Sequence, residues 1–304
     1  MKENLAVTFA YLIAGMIIKR MPDFPSQTGK ALNMFVIYIS LPALILLKIP
    51  ELIFNKEILI TFCIPWINLI SSAFIILIIS RYFKWDKKSQ GCLLLLIPLG
   101  NTAFLGIPMV ETFFGSNAVS YALIYDQTGT FLAFTTYGSV IISLYGSNTV
   151  KPDFKNTIKK IIYFPPFIAL IAALMLRYIK YPEIAETVLK SFSATLIPLV
   201  MTAVGYQLSL KLSKNVIKKL VTGLGVKLII MPLTALLICK YAGFYSPAAQ
   251  VAVFQSGMPP MVTAGALAVM SDMKPDLAAA LVGAGIVLSF ATLPLVYNLI
   301  NIFL

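Results

Sequence analysis

Two ionisable residues stand deep inside apolar stretches: Asp126 in Y-A-L-I-Y-D-Q-T-G-T and Lys227 in G-L-G-V-K-L-I-I-M-P. Each falls about nine to twelve residues into its run, which at ~1.5 Å per helical residue is near the middle of a bilayer. Ionisable groups at that depth are costly, so they normally pair or face a water-filled cavity on a substrate or ion path. Two chemistries are open to them. They can form an Asp126–Lys227 ion pair that stabilises the site, or Asp126 can exchange a proton as the site alternates. A second set of polar residues sits among prolines and glycines. Asn101 and Thr102 lie in P-L-G-N-T-A-F-L-G-I-P-M-V, and Gln255 and Ser256 in Q-S-G-M-P-P-M-V. Amides, hydroxyls and freed helix ends of this kind bind and orient a solute; they do not perform covalent chemistry.

The elements that carry these residues follow from composition. The chain has 304 residues, 59% hydrophobic and 12% charged, with a mean hydropathy of +0.88. That charge fraction is about half of what a soluble domain carries, and no long polar block interrupts it. An all-α integral membrane protein is predicted, with ten transmembrane helices at 4–19, 30–48, 57–80, 89–114, 117–145, 158–179, 188–209, 214–240, 247–271 and 275–303. The net charge of +12 is spread in short clusters between apolar runs, which argues against nucleic acid. Sixteen bases fall on one predicted side and seven on the other, with Lys227 inside a span. The basic side faces the cytoplasm, so both termini are expected outside the cytoplasmic membrane. Cys63, Cys92 and Cys239 lack metal-ligand spacing, and there is no histidine, so no metal and no cofactor is expected.

Ten spans divide into two five-helix halves, 1–148 and 149–304, and an odd number of spans inverts the second half relative to the first. I-S-L-P-A-L in span 2 matches T-L-I-P-L-V in span 7, and G-I-P-M-V in span 4 matches M-P-P-M-V in span 9. Proline removes a donor and clashes with the preceding turn, so spans 4 and 9 are expected to be broken helices. In lipid such breaks survive only inside protein or beside a cavity, and matched breaks in two inverted halves point to a transport site. Asn101, Thr102, Pro108, Gln255, Ser256, Pro259 and Pro260 are therefore the candidate substrate-binding residues. Gln127 and Thr128 adjoin Asp126. Asn68 and Gln207 are expected to make interhelical hydrogen bonds, Glu111 to be a solvated residue at the outer end of span 4, and Asp272 and Asp276 to serve a helix N-terminus.

N-T-A-F-L-G-I-P, Y-D-Q and Q-S-G-M-P-P-M resemble the auxin efflux carrier family, which includes plant PIN-like carriers and bacterial permeases. The resemblance extends over essentially the whole chain. It implies a fold shared with bile-acid symporters and sodium/proton antiporters, in which helices 4 and 9 cross at unwound centres. It further implies a moving transport domain from helices 3–5 and 8–10, a scaffold from helices 1, 2, 6 and 7 that often forms a homodimer, and organic-anion substrates such as indole acetate, malate or malonate. Pro108 matches the helix 4 crossing proline, and Pro259 or Pro260 the helix 9 one.

No G-x-S-x-G, Walker A or H-E-x-x-H motif is present, so the chain is not expected to be an enzyme. The expectation is a secondary transporter of a small organic anion, working by alternating access in the lipid bilayer with protons as a candidate coupling ion. The alternative is a sodium/proton-type cation antiporter using Asp126 and Lys227.

Overall fold

A computed structural model describes residues 2–52, 56–147, 154–208 and 213–304. The 148/149 boundary expected between the two halves lies outside the described residues, as do Lys151 and Lys211 of the charge tally. The described residues are helical, with no strand beyond one isolated backbone bridge. Among the described residues, five helices are long and apolar enough to cross a membrane: Thr28–Lys48, Ile58–Tyr82, Glu183–Gln207, Ile217–Tyr241 and Pro275–Phe303. A sixth is reached if Lys155–Ile162 and Pro165–Met175, bent by 60°, count as one. The apolar segments around the two candidate breaks are divided into short helices, Lys87–Leu96 and Ile107–Phe114 in one and Pro247–Ser256 and Val262–Met270 in the other.

Local sequence accounts for where these helices start. Asp86 has an extended backbone, and its carboxylate accepts from the Ser89 N–H at 2.9 Å. This is the N-cap geometry that satisfies an orphan helix donor. Ser246 does the same for Pro247–Ser256, accepting from Ala249 N–H, and Pro247 follows at a first-turn position where a missing N–H costs nothing. Three π-helical turns, Val36–Ser40, Thr102–Gly106 and Val226–Ile230, each end two residues before a proline: Pro42, Pro108 and Pro232. Proline cannot donate to the carbonyl four residues back and its ring crowds that carbonyl. The helix accommodates this by widening one turn, which is why single π turns mark such positions.

The chain forms two compact units. One comprises Met1–Phe54, Ala103–Leu123 and Lys159–Leu208, the other Asn55–Thr102, Ile124–Ile158 and Ser209–Leu304. In the first unit, helix Lys2–Ile18 packs backbone to backbone on Leu196–Gln207. A Cβ on Gly15 would lie 2.0 Å from the Thr202 carbonyl oxygen, and one on Gly205 2.0 Å from that of Leu12. Small residues permit this approach where lipid supplies no hydrophobic drive. The Gln207 amide donates to Gly29 O at 3.1 Å, the interhelical bond expected of it. The second unit holds a continuous apolar core built from Leu93–Ile97, Leu220, Leu224, Leu277 and Leu281. Residues of both broken segments, Leu93–Ile97 and Leu99 of one and Ala264 and Ala268 of the other, belong to this core.

Candidate functional site: the crossing of two broken helices

The break after Leu96 and the break after Ser256 meet inside the second unit. Asn101 N–H donates to Pro259 O at 2.7 Å, and Met261 N–H donates to Leu99 O at 3.0 Å. The two bonds make a short antiparallel bridge between Gly100 and Pro260. Backbone groups released by the breaks thus satisfy one another, which is what a buried non-helical segment requires. Asn101, Thr102, Gln255 and Ser256 surround the bridge, each at most 2% exposed. Gln255 Nε2 donates to Thr102 O at 3.2 Å, a second tie between the two breaks. Ser256 Oγ donates back to Val253 O at 2.6 Å and closes the last turn of its helix.

The register differs from the one expected. G-I-P-M-V was matched with M-P-P-M-V, which would place Pro108 at the crossing. The residue opposite Pro260 is Gly100, eight positions earlier than Pro108. Pro108 sits in the first turn of Ile107–Phe114, where its carbonyl accepts from Thr112 Oγ1 at 2.8 Å. A first-turn proline does not interrupt a helix; it widens the turn before it, as described above. Pro259 and Pro260 both lie in the second break, Pro259 as acceptor and Pro260 as the bridge residue.

Asp126 lies on the π-helical turn Tyr125–Phe131. Thr102 Oγ1 donates to one carboxylate oxygen at 2.6 Å and Gln127 Nε2 to the other at 2.8 Å. Both are charge-assisted bonds of normal strong geometry. Lys227 lies on the turn Val226–Ile230 and is 4% exposed. Its ammonium reaches the bridge: a Cβ added at Gly100 would stand 3.1 Å from Nζ. The Asp126–Lys227 ion pair proposed from sequence is not formed. The ion pairs formed elsewhere include Lys48–Glu51, Lys88–Asp272, Lys190–Glu186 and Lys219–Asp86, and neither Asp126 nor Lys227 is in any of these. Asp126 is satisfied instead by neutral donors, which leaves the Lys227 ammonium beside the crossing without a carboxylate.

Three buried side-chain atoms at the site have no hydrogen-bond partner: Asn101 Nδ2, Gln127 Oε1 and Gln255 Oε1. The two glutamine oxygens are free for a reason. Each amide nitrogen is committed to an acceptor, and turning either amide over would face oxygen to oxygen. Buried side-chain atoms without a protein partner are rare, and here they gather at the crossing. The site therefore presents a cation and an amide donor on one hand and two neutral acceptors on the other.

Three supporting residues, Pro65, Trp66 and Gly129, were not singled out from sequence. Gly129 faces Pro65 so closely that a Cβ would lie 2.4 Å from the ring, and Trp66 Nε1 donates to Thr128 O at 3.1 Å. Pro65–Trp66 thus fixes the turn that carries Asp126. The C-I-P-W-I-N motif held the signal, but its partner became visible only in three dimensions.

A family model described as "Membrane transport protein" matches residues 1–297. An uncharacterized transporter of Methanothermobacter thermautotrophicus is 26% identical over 296 residues, covering 96% of this chain and 96% of the relative. An uncharacterized transporter of Methanocaldococcus jannaschii is 27% identical over 266 residues, covering 84% and 85%.

Proposed function

The chain belongs to the membrane transport protein family, the auxin efflux carrier or PIN-like group, and from that premise we propose that it is a secondary transporter of small organic anions. The observation that carries this reading is the crossing itself. Lys227 is almost fully buried, has no carboxylate within ion-pair distance, and lies against the Gly100–Pro260 bridge. An isolated ammonium in such a place is expensive unless a ligand compensates it. A carboxylate can do so. Helix Val262–Met270 begins immediately after the bridge and adds the partial positive charge of its N-terminus.

The finer reading is ten spans in two inverted halves, alternating access and a homodimer in the cytoplasmic membrane with both termini outside. It is supported by matched breaks and by a second unit that collects residues from both halves. In this reading the second unit moves and the first is the scaffold. Substrate-coupled protonation of Asp126 supplies proton coupling, and no covalent chemistry is performed. The test is uptake into proteoliposomes of labelled malate, malonate, lactate and indole acetate, each with a pH gradient, a sodium gradient or neither. Saturable uptake of one anion, with its half-saturating concentration raised by Lys227→Met in protein that remains monodisperse, supports the carrier. If no anion moves but sodium collapses a pH gradient, the cation antiporter replaces it.

A further inference from the structure

Glu111 was expected to be a solvated residue, yet the structure half-buries it within the first unit. It belongs to the apolar segment Thr102–Phe114 and lines a cavity of about 280 Å³ with Thr8, Tyr11, Thr112, Ile197 and Pro198. All of these residues belong to the first unit, whereas the residues of the crossing belong to the second. The hydroxyl oxygens of Thr8 and Thr112 lie 3.5 Å apart beside it. No lysine or arginine among the described residues comes within ion-pair distance of the Glu111 carboxylate; Lys48 acts on it only from farther away and is engaged by Glu51 at 3.2 Å. Thr112 Oγ1 spends its one proton on Pro108 O, so in the contact with Thr8 it is the acceptor, and one lone pair remains on it for a ligand.

We propose that Glu111, with the hydroxyl oxygens of Thr8 and Thr112, forms a binding site for a small monovalent cation. An ionisable side chain on an apolar helix, half-buried beside a cavity and without an ion partner, is a candidate functional position. The donor set is all oxygen, which suits a hard cation or a protonated amine. The charge count selects valence. One carboxylate balances one positive charge, and no group of three or more His, Cys, Asp or Glu that could hold a metal ion occurs among the described residues. The cavity exceeds a bare ion, since one water occupies about 30 Å³, so the cation enters hydrated or as a small ammonium. The inference does not depend on the anion reading of the crossing. If both hold, the chain carries sites of opposite charge in its two units, the minimum equipment for cation-coupled anion movement.

The test is thermal unfolding of the full chain in detergent, titrated with sodium, potassium or methylammonium chloride. N-methylglucamine chloride holds chloride and ionic strength constant. A ligand that binds the native state raises the unfolding temperature saturably. The expected result is such a rise with at least one of the three cations, abolished by Glu111→Gln and kept by Lys48→Gln. Should Glu111→Gln fail to fold, Thr112→Val removes one oxygen and is expected to raise the half-saturating concentration several-fold. The proposal is overturned if none of the three cations shifts the wild type. It is equally overturned if Glu111→Gln, or in its place Thr112→Val, responds as the wild type does. Failure of anion uptake leaves this readout untouched, so the two readings fall separately.

Discussion

Gly129→Ala is the sharpest probe of how the site is held. An alanine Cβ there would stand 2.4 Å from Cβ and Cγ of Pro65, a rigid ring that cannot swing aside. Restoring ordinary contact at 3.4 Å requires an opening of about 1.0 Å, the difference between that distance and the 2.4 Å contact. Asp126 lies on the same π turn, three residues earlier. If the opening is passed to it, the Thr102–Asp126 bond lengthens from 2.6 Å to about 3.6 Å, where it ceases to be a hydrogen bond. Overpacking costs about 1–3 kcal/mol, and a lost bond to a charged group about 1.5–3 kcal/mol. Against these stands a gain of about 1 kcal/mol in helix propensity. The net expectation is destabilisation by about 1.5–5 kcal/mol, seen as a lower unfolding temperature, with loss of uptake under conditions where the protein is still folded. Pro65→Gly in the same chain removes both opposing atoms and should recover part of the loss, a coupling that the double-mutant cycle measures. Gly129→Ala with wild-type stability and uptake would refute the idea that Pro65 positions Asp126.

Lys227→Met should reduce the apparent affinity for the transported anion roughly 10- to 100-fold, the worth of one charged hydrogen bond, measured as the shift in half-saturation of uptake. Thr102→Val strips one donor from Asp126 and should lower stability by about 1–3 kcal/mol, read by thermal unfolding; an unchanged midpoint would show that the carboxylate finds another donor. Asp86→Ala removes the cap of Lys87–Leu96 and should cost about 0.5–2 kcal/mol near neutral pH. Burial acts to raise the Asp86 carboxyl, but hydrogen bonds from Lys219 and Ser89 outweigh it and hold it well below the usual carboxylate range. A lowered folded value means that its stabilisation is complete above the unfolded value of about 3.9 and is lost only as pH falls through the folded one. The gap between wild type and Asp86→Ala in unfolding experiments should therefore stay constant from about pH 5 to 8 and close in strong acid.

Much of the architecture is written in local sequence. Apolar runs without long polar blocks require a membrane chain. Caps at Asp86 and Ser246 start the helices that enter the crossing, and Pro259–Pro260 breaks one of them. The family was legible in N-T-A-F-L-G-I-P and Q-S-G-M-P-P-M, because those residues serve the breaks directly. Prolines could be located in sequence, but their effect depends on position within a turn. Pro108 falls in a first turn and widens the helix before it, whereas the segment around Gly100 opens fully.

Which polar groups meet was beyond the sequence. Asp126 and Lys227 have complementary charge and similar depth, and linear spacing offers nothing better than to pair them. Tertiary structure gave Asp126 to Thr102 and Gln127 and placed Lys227 at Gly100. It also turned Glu111 towards a cavity in the first unit. The physical reason is reach. Hydropathy and breaks are properties of a few consecutive residues, so they can be read along the chain. A hydrogen bond or an uncompensated charge is settled within about 3 Å, by residues that may be 24 positions apart, as Thr102 and Asp126 are, or 153, as Thr102 and Gln255 are.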